Sequence, residues 1–131
     1  MFPPTTKVLV VDDMGMMRTA VKKFLVEFGL SDIHEAADGI DAWTAISSAE
    51  KPFDLIISDW NMPKCTGIDL LKRVRADKRY LKTPLILVTA EKEKEQILEA
   101  IKAGVSSYVV KPFNSQGLRE KLEALHAKLL K

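Results

Sequence analysis

The sequence predicts an α/β fold in which a five-stranded parallel sheet carries helices on both faces, in a (βα)5 arrangement. Three observations lead there. Five short, β-branched-rich runs alternate with amphipathic stretches, and such alternation joins parallel strands by right-handed crossovers. The central runs FDLIIS and PLILVT lack polar alternation, as strands buried on both faces do. A chain of 131 residues that is 47% hydrophobic suits one compact domain spanning residues 1–131.

Taken in order, KVLVV (7–11) is the first strand and MRTAVKKFLVEF (17–28) the first helix, with Met17, Val21, Phe24, Leu25 and Phe28 at helical spacing. DIHEA (32–36) and IDAWTAISSA (40–49) form the second pair, with Asp38 before Gly39 as a turn or cap. FDLIIS (53–58) runs straight into Asp59 and precedes IDLLKRVRA (68–76), where Thr66 and Asp69 have the spacing of a capping box. PLILVT (84–89) precedes KEQILEAIKA (94–103), and SYVV (107–110) precedes LREKLEALHAKLL (118–130), whose Leu118, Leu122, Leu125 and Leu129 share a face. The Pro-Pro start, residues 1–6, is expected to fray.

Composition excludes several classes. Lysine and arginine number 20 against 18 acids, and their scatter leaves no basic stripe for nucleic acid. The apolar runs are strand-sized and MFPPTTK lacks a secretion layout, so the expectation is a soluble, cytoplasmic monomer with no membrane contact. A single cysteine, Cys65, forms no internal disulfide and no zinc cluster, and is expected to be an incidental loop residue.

The chemistry gathers at strand ends. If the strands lie as described, Asp12 and Asp13, Asp59, Thr89 and Lys111 converge on one carboxyl edge, where open α/β sheets bind ligands. Crowded carboxylates resist ionising unless a cation joins them. Magnesium, which takes oxygen ligands, suits such a cluster. Lys111 supplies an ammonium and Thr89 a hydroxyl, and both roles call for an anion between them. This layout fits phosphoryl transfer onto a carboxylate, with Asp59 as nucleophile. Each residue alone has a plainer explanation, since a strand-end aspartate commonly caps a helix and a lone lysine is usually solvated. Their convergence favours chemistry. Trp60 is either a hydrophobic lid or packing, His34 and His126 are structural or solvent residues, and Met14, Met16 and Met17 are core or loop filler.

VLVVDD, ISDWNMP, VTAE and YVVKPF, in this order and at these separations, resemble the receiver domains of two-component signalling over essentially the whole chain. SDWNMP, TAEKEKE and SSYVVKPF are most similar to the chemotaxis branch of that family. The resemblance implies a flavodoxin-like strand order 2-1-3-4-5. It implies that Asp59 accepts a phosphoryl group from a phosphohistidine on a sensor histidine kinase. Asp13, Asp59 and the backbone carbonyl of Asn61 would hold Mg2+, with Asp12 reaching it through water. Thr89 and Tyr108 match the switch pair, Lys111 the family's lysine, and Pro112 a peptide bond that is usually cis there. Asn61 and Glu91 match the positions that tune hydrolysis. Lys94, Ile97, Tyr108 and Lys121 match the partner surface, for which the implied partner is a flagellar motor switch protein, with a phosphatase as a further partner. The segment Lys64, Cys65, Thr66, Gly67 departs from the family's usual turn and alters the local charge near the phosphate entrance.

These features lead to a stand-alone response regulator that switches conformation on phosphorylation and autodephosphorylates. The alternative within the family is a phosphorelay shuttle. A magnesium-dependent hydrolase with an aspartate nucleophile usually has a second aspartate two residues on as general acid, and Asn61 cannot fill that role. A flavin carrier on the same fold would need a phosphate-cradling first loop, which Asp12 and Asp13 would repel.

Overall fold

The computed structural model describes residues 1–62, 65–90, 94–111 and 113–129, and the side chain of Lys94 lies outside that description. Five parallel strands, β1 (Lys7–Val11), β2 (Asp32–Ala36), β3 (Leu55–Asp59), β4 (Leu85–Thr89) and β5 (Ser107–Val110), are ordered β2-β1-β3-β4-β5. Helices α1 (Gly15–Glu27), α2 (Gly39–Ser48), α3 (Gly67–Ala76) and α4 (Lys94–Ala103) make the four crossovers, and α5 (Ser115–Leu129) follows the last strand. The expected fold class and strand order are both found.

Side-chain alternation along the strands divides the core into two layers. Val8, Val10, Leu55, Ile57, Ile86, Val88 and Val109 face Val21 and Leu25 of α1 and Leu118, Leu122 and Leu125 of α5. Leu9, Val11, Ile56, Leu85 and Leu87 face Ala42 and Ile46 of α2, Leu70, Leu71 and Val74 of α3, and Ala100 of α4. β3 and β4 are buried at every residue, as their lack of alternation requires. Asp38 caps α2 by accepting from the Asp41 amide. Thr66 and Asp69 form the expected capping box on α3.

Several boundaries differ. β3 begins at Leu55 because the Phe53 amide turns to the Tyr80 hydroxyl at 3.4 Å. α5 begins at Ser115, three residues before the apolar stripe, because the Asn114 side chain accepts from the Gly117 amide at 2.8 Å. Leu129, expected on the buried face, is exposed. Within the first six residues, Phe2 and Thr6 are buried while Pro3, Pro4 and Thr5 are exposed. Phe2 is 7% exposed, packs in the α1/α5 layer and stacks against His126 at 5.0 Å, while Thr6 donates from both its amide and its hydroxyl to the Pro3 carbonyl.

A short 3-10 turn, Lys78–Tyr80, follows α3 and locks two helices by side-chain bonds to main-chain oxygens. The fully buried Tyr80 donates its hydroxyl to Ile46 O at 3.1 Å, and Arg79 donates to Ala49 O and Ile46 O. Together they occupy carbonyls at the C-terminus of α2. Arg75 does the same for α4. Its guanidinium donates to Gly104 O at 2.9 Å, Tyr80 O at 2.7 Å and Ser106 Oγ at 3.2 Å. Burial lowers its pKa.

Candidate acidic site at the carboxyl edge of the sheet

Asp12 directly follows β1, and its amide continues the ladder to Ala36 O at 3.2 Å. Asp59 is the last residue of β3. Its carboxylate accepts from the Trp60 amide at 3.0 Å, an amide that also donates to Val88 O at 2.9 Å. The α3 N-terminus presses onto this corner, for a Cβ at Gly67 would stand 2.5 Å from the Asp59 carbonyl oxygen. Only glycine admits so close an approach.

One carboxylate oxygen from each of Asp12, Asp13 and Asp59 falls within 4.8 Å of the others. Asp12 and Asp59 are 5% and 6% exposed, and Asp13 is open to solvent. Lys111 reaches in from the end of β5, with Nζ 3.1 Å from Asp59 Oδ1 and 4.0 Å from Asp12 Oδ2. Burial raises the Asp12 pKa above its usual value, and the charges of Asp59 and Asp13 push the same way; the Met14 amide and Lys111 oppose them. The cluster is thus an anionic site short of positive charge, built from hard oxygen donors.

Thr89, fully buried at the end of β4, accepts the Lys111 amide on its carbonyl at 2.8 Å. The hydroxyl-bearing residue and the lysine therefore sit on one hydrogen-bonded step of the sheet. Tyr108, two strand positions before Val110, is half-buried against the α2/α3/α4 layer, and Lys121 Nζ lies 5.2 Å from its ring centroid. Beside them runs a groove lined by Tyr108, Val110, Phe113, Asn114, Gly117 and Lys121. Ile97 is half-buried on α4, and Asn61 is exposed just past Asp59. Glu91, the Lys94 side chain and Pro112 lie outside the described residues.

Trp60 is 8% exposed and belongs to the core, so it packs and does not form a lid. Met16 is 84% exposed on the first turn of α1, which is not a core position. Cys65 is buried, and burial raises its thiol pKa. His34 pairs with Asp32 at 2.8 Å on the β2 edge. Sequence reasoning passed over Arg18, whose Nη1 donates to the Asp12 carbonyl at 2.6 Å. The only sequence signal was an arginine in the first turn after the acid pair. Among the described residues, no helix is long and apolar enough to cross a membrane.

Comparison with known proteins agrees with this architecture. The response regulator receiver domain family matches residues 8–123. The chemotaxis protein CheY of Pseudomonas aeruginosa is 48% identical over 119 residues, 91% of this chain and 94% of that protein. CheY1 of Helicobacter pylori is 45% identical over 119 residues, 91% of this chain and 95% of that protein. Among solved structures, chemotaxis response regulator CheY4 of Vibrio cholerae superposes with a TM-score of 0.84 at 38% identity, covering 92% of this chain and 98% of that one. The receiver domain of a sensor histidine kinase from Pseudomonas aeruginosa, solved with a magnesium ion coordinated in its active site cleft, has a TM-score of 0.80 at 25% identity, covering 92% of this chain and 96% of that one.

Proposed function

This chain belongs to the response regulator receiver domain family, and from that premise we propose that it is a chemotaxis-type signalling switch, loaded on Asp59 by a sensor histidine kinase. The loaded form would engage a flagellar motor switch protein. The observation that carries this reading is the Lys111 ammonium 3.1 Å from Asp59, beside two further carboxylates at one sheet edge. The similarity to CheY proteins supports the chemotaxis assignment.

Asp59 acts as the nucleophile. One of its oxygens attacks the phosphorus of the kinase's phosphohistidine, the P–O bond forms as the P–N bond breaks, and the imidazole stays with the kinase. The Trp60 amide donates to one of the carboxylate oxygens. Lys111 follows the charge that spreads onto the transferred oxygens. The donor set fits a hard divalent cation, since three carboxylate oxygens within 4.8 Å match the ligand preference of Mg2+. Asp13, Asp59 and the Asn61 carbonyl would hold the ion, with Asp12 acting through water. When bound, it supplies positive charge against the phosphoryl oxygens.

The Thr89 hydroxyl then turns toward a phosphoryl oxygen, and the vacated space admits the Tyr108 ring from its half-buried position. That shift changes the face bearing Ile97, Tyr108 and Lys121, where the groove along β5 and α5 offers a docking surface. Water admitted past the exposed Asn61 attacks phosphorus, releases inorganic phosphate and restores the carboxylate. Intact-mass measurement after acetyl phosphate treatment tests the core of this reading. One phosphoryl group is expected, only with MgCl2 present, and none on Asp59→Ala. Full labelling of that variant would overturn the assignment.

A further inference from the structure

We propose that Arg18 is a positioning residue for the metal-holding acids, acting through the main chain without touching the reacting atoms. The inference rests on Asp13 and Asp59 being the cation ligands.

Asp13 is the exposed member of the cluster, so packing does little to orient it. Its orientation is set by the two peptide planes on either side, because each peptide is rigid and only φ and ψ between them are soft. Both planes are pinned. The Met14 amide, belonging to the plane after Asp13, donates to Asp12 Oδ1 at 2.9 Å. The Asp12 carbonyl, belonging to the plane before Asp13, accepts Arg18 Nη1 at 2.6 Å. Holding both planes fixes the direction in which the Asp13 side chain leaves the loop.

Arg18 is itself held. Its Nε lies 3.4 Å from Glu35 Oε1 on β2, and Lys22 Nζ lies 3.8 Å from the other Glu35 oxygen. The guanidinium also passes under Gly15, where a Cβ would meet Nη2 at 3.6 Å. A planar fork with donors on several edges can bridge a carboxylate on one strand and a carbonyl on another, which an ammonium cannot do at both points at once. One residue on α1 thereby couples the β2 edge to the loop that presents two of the three acids.

Charge and position predict opposite outcomes. A cation near an acid cluster repels a divalent ion, so on charge alone removing Arg18 would tighten Mg2+ binding. Loss of a group that orients metal ligands weakens it, typically about 10- to 100-fold. Calorimetric titration of MgCl2 into the full chain at constant ionic strength separates the two. Arg18→Ala is expected to bind Mg2+ about tenfold or more weakly, Arg18→Lys to recover part of the loss, and Glu35→Gln to show a smaller loss in the same direction. The Glu35 variant leaves every acid of the cluster in place and keeps the test informative if Arg18→Ala folds poorly. Unchanged or tighter Mg2+ binding in Arg18→Ala, with only a lowered melting temperature, would mean that Arg18 is a brace of the fold and would overturn the inference. A parent protein that gives no binding heat and whose melting temperature does not move with MgCl2 would instead remove the metal site itself, and the role of Arg18 with it.

Discussion

Replacing Asp12 with asparagine is expected to stabilise the metal-free protein near neutral pH while weakening its response to magnesium. The repulsion between Asp12 and Asp59, whose oxygens lie within 4.8 Å, is about 3.5 kcal/mol at an effective dielectric of about 20. Lys111 at 4.0 Å returns about 4 kcal/mol on the same scale. These two nearly cancel. Asp13 adds a solvent-screened repulsion, and the carboxylate, 5% exposed, carries a desolvation penalty of several kcal/mol. Against this stands the weaker bond an amide oxygen would accept from Met14, a loss of about 1 kcal/mol. The balance favours asparagine by roughly 1 to 3 kcal/mol, or a melting temperature higher by about 3 to 5 °C per kcal/mol for a chain of this size.

The pH dependence fixes the sign. Burial and the neighbouring carboxylates raise the folded-state pKa of Asp12 above its reference value of 3.8, so the unfolded chain loses this proton first. The penalty is absent below the unfolded value, grows as pH rises through the folded value, and is complete above it. Urea denaturation in EDTA should therefore show the variant ahead of the parent at about pH 7 and level with it below about pH 4. Adding millimolar MgCl2 should stabilise the parent more. A variant that is less stable than the parent at neutral pH without metal would refute the claim that ionised Asp12 is a net burden on the fold.

Three further outcomes are expected. Thr89→Ala should still take phosphate on Asp59 but lose about tenfold or more of the phosphate-induced gain in affinity for a motor-derived peptide, the worth of one charge-assisted hydrogen bond; equal gains in a titration would uncouple Thr89 from the surface. Asn61→Arg should lengthen the phosphoryl lifetime by crowding the exposed mouth of the site, and a pulse-chase with unchanged decay would count against water entering there. Gly39→Ala should lower stability by about 1 to 3 kcal/mol through overpacking, because the new Cβ would stand 2.4 Å from the Cys65 carbonyl and 2.7 Å from its Sγ; an unshifted thermal melt would show that α2 and the loop after β3 do not touch as described.

The strands and the acid cluster were legible because each rests on a local pattern. β3 and β4 read as uninterrupted apolar runs, and an acid at the end of such a run must lie at the sheet edge. The caps by Asp38 and Thr66 were readable from spacing alone. What escaped depends on partners distant in sequence. Phe2 is buried because α5 returns to cover it, so nothing near the Pro-Pro start revealed it. The 3-10 turn at Lys78–Tyr80 is too short for periodicity, and its role lies in bonds to carbonyls more than thirty residues away. Arg18 and Arg75 act on main-chain oxygens, which carry no residue identity for a motif to encode.

The three bonds of Arg75 also constrain motion. They anchor the heel of α4 at Gly104 to the end of α3 and to the start of β5, so a reorientation of α4 that leaves them intact is a tilt about its C-terminus and not a slide along the sheet. α4 has ten residues, making it a lever about 15 Å long. A tilt of roughly 10° about that heel displaces its far end by about 2.6 Å while the heel stays still. In such a tilt, side chains near the far end, such as Ile97, would travel furthest for a given strain at the fulcrum.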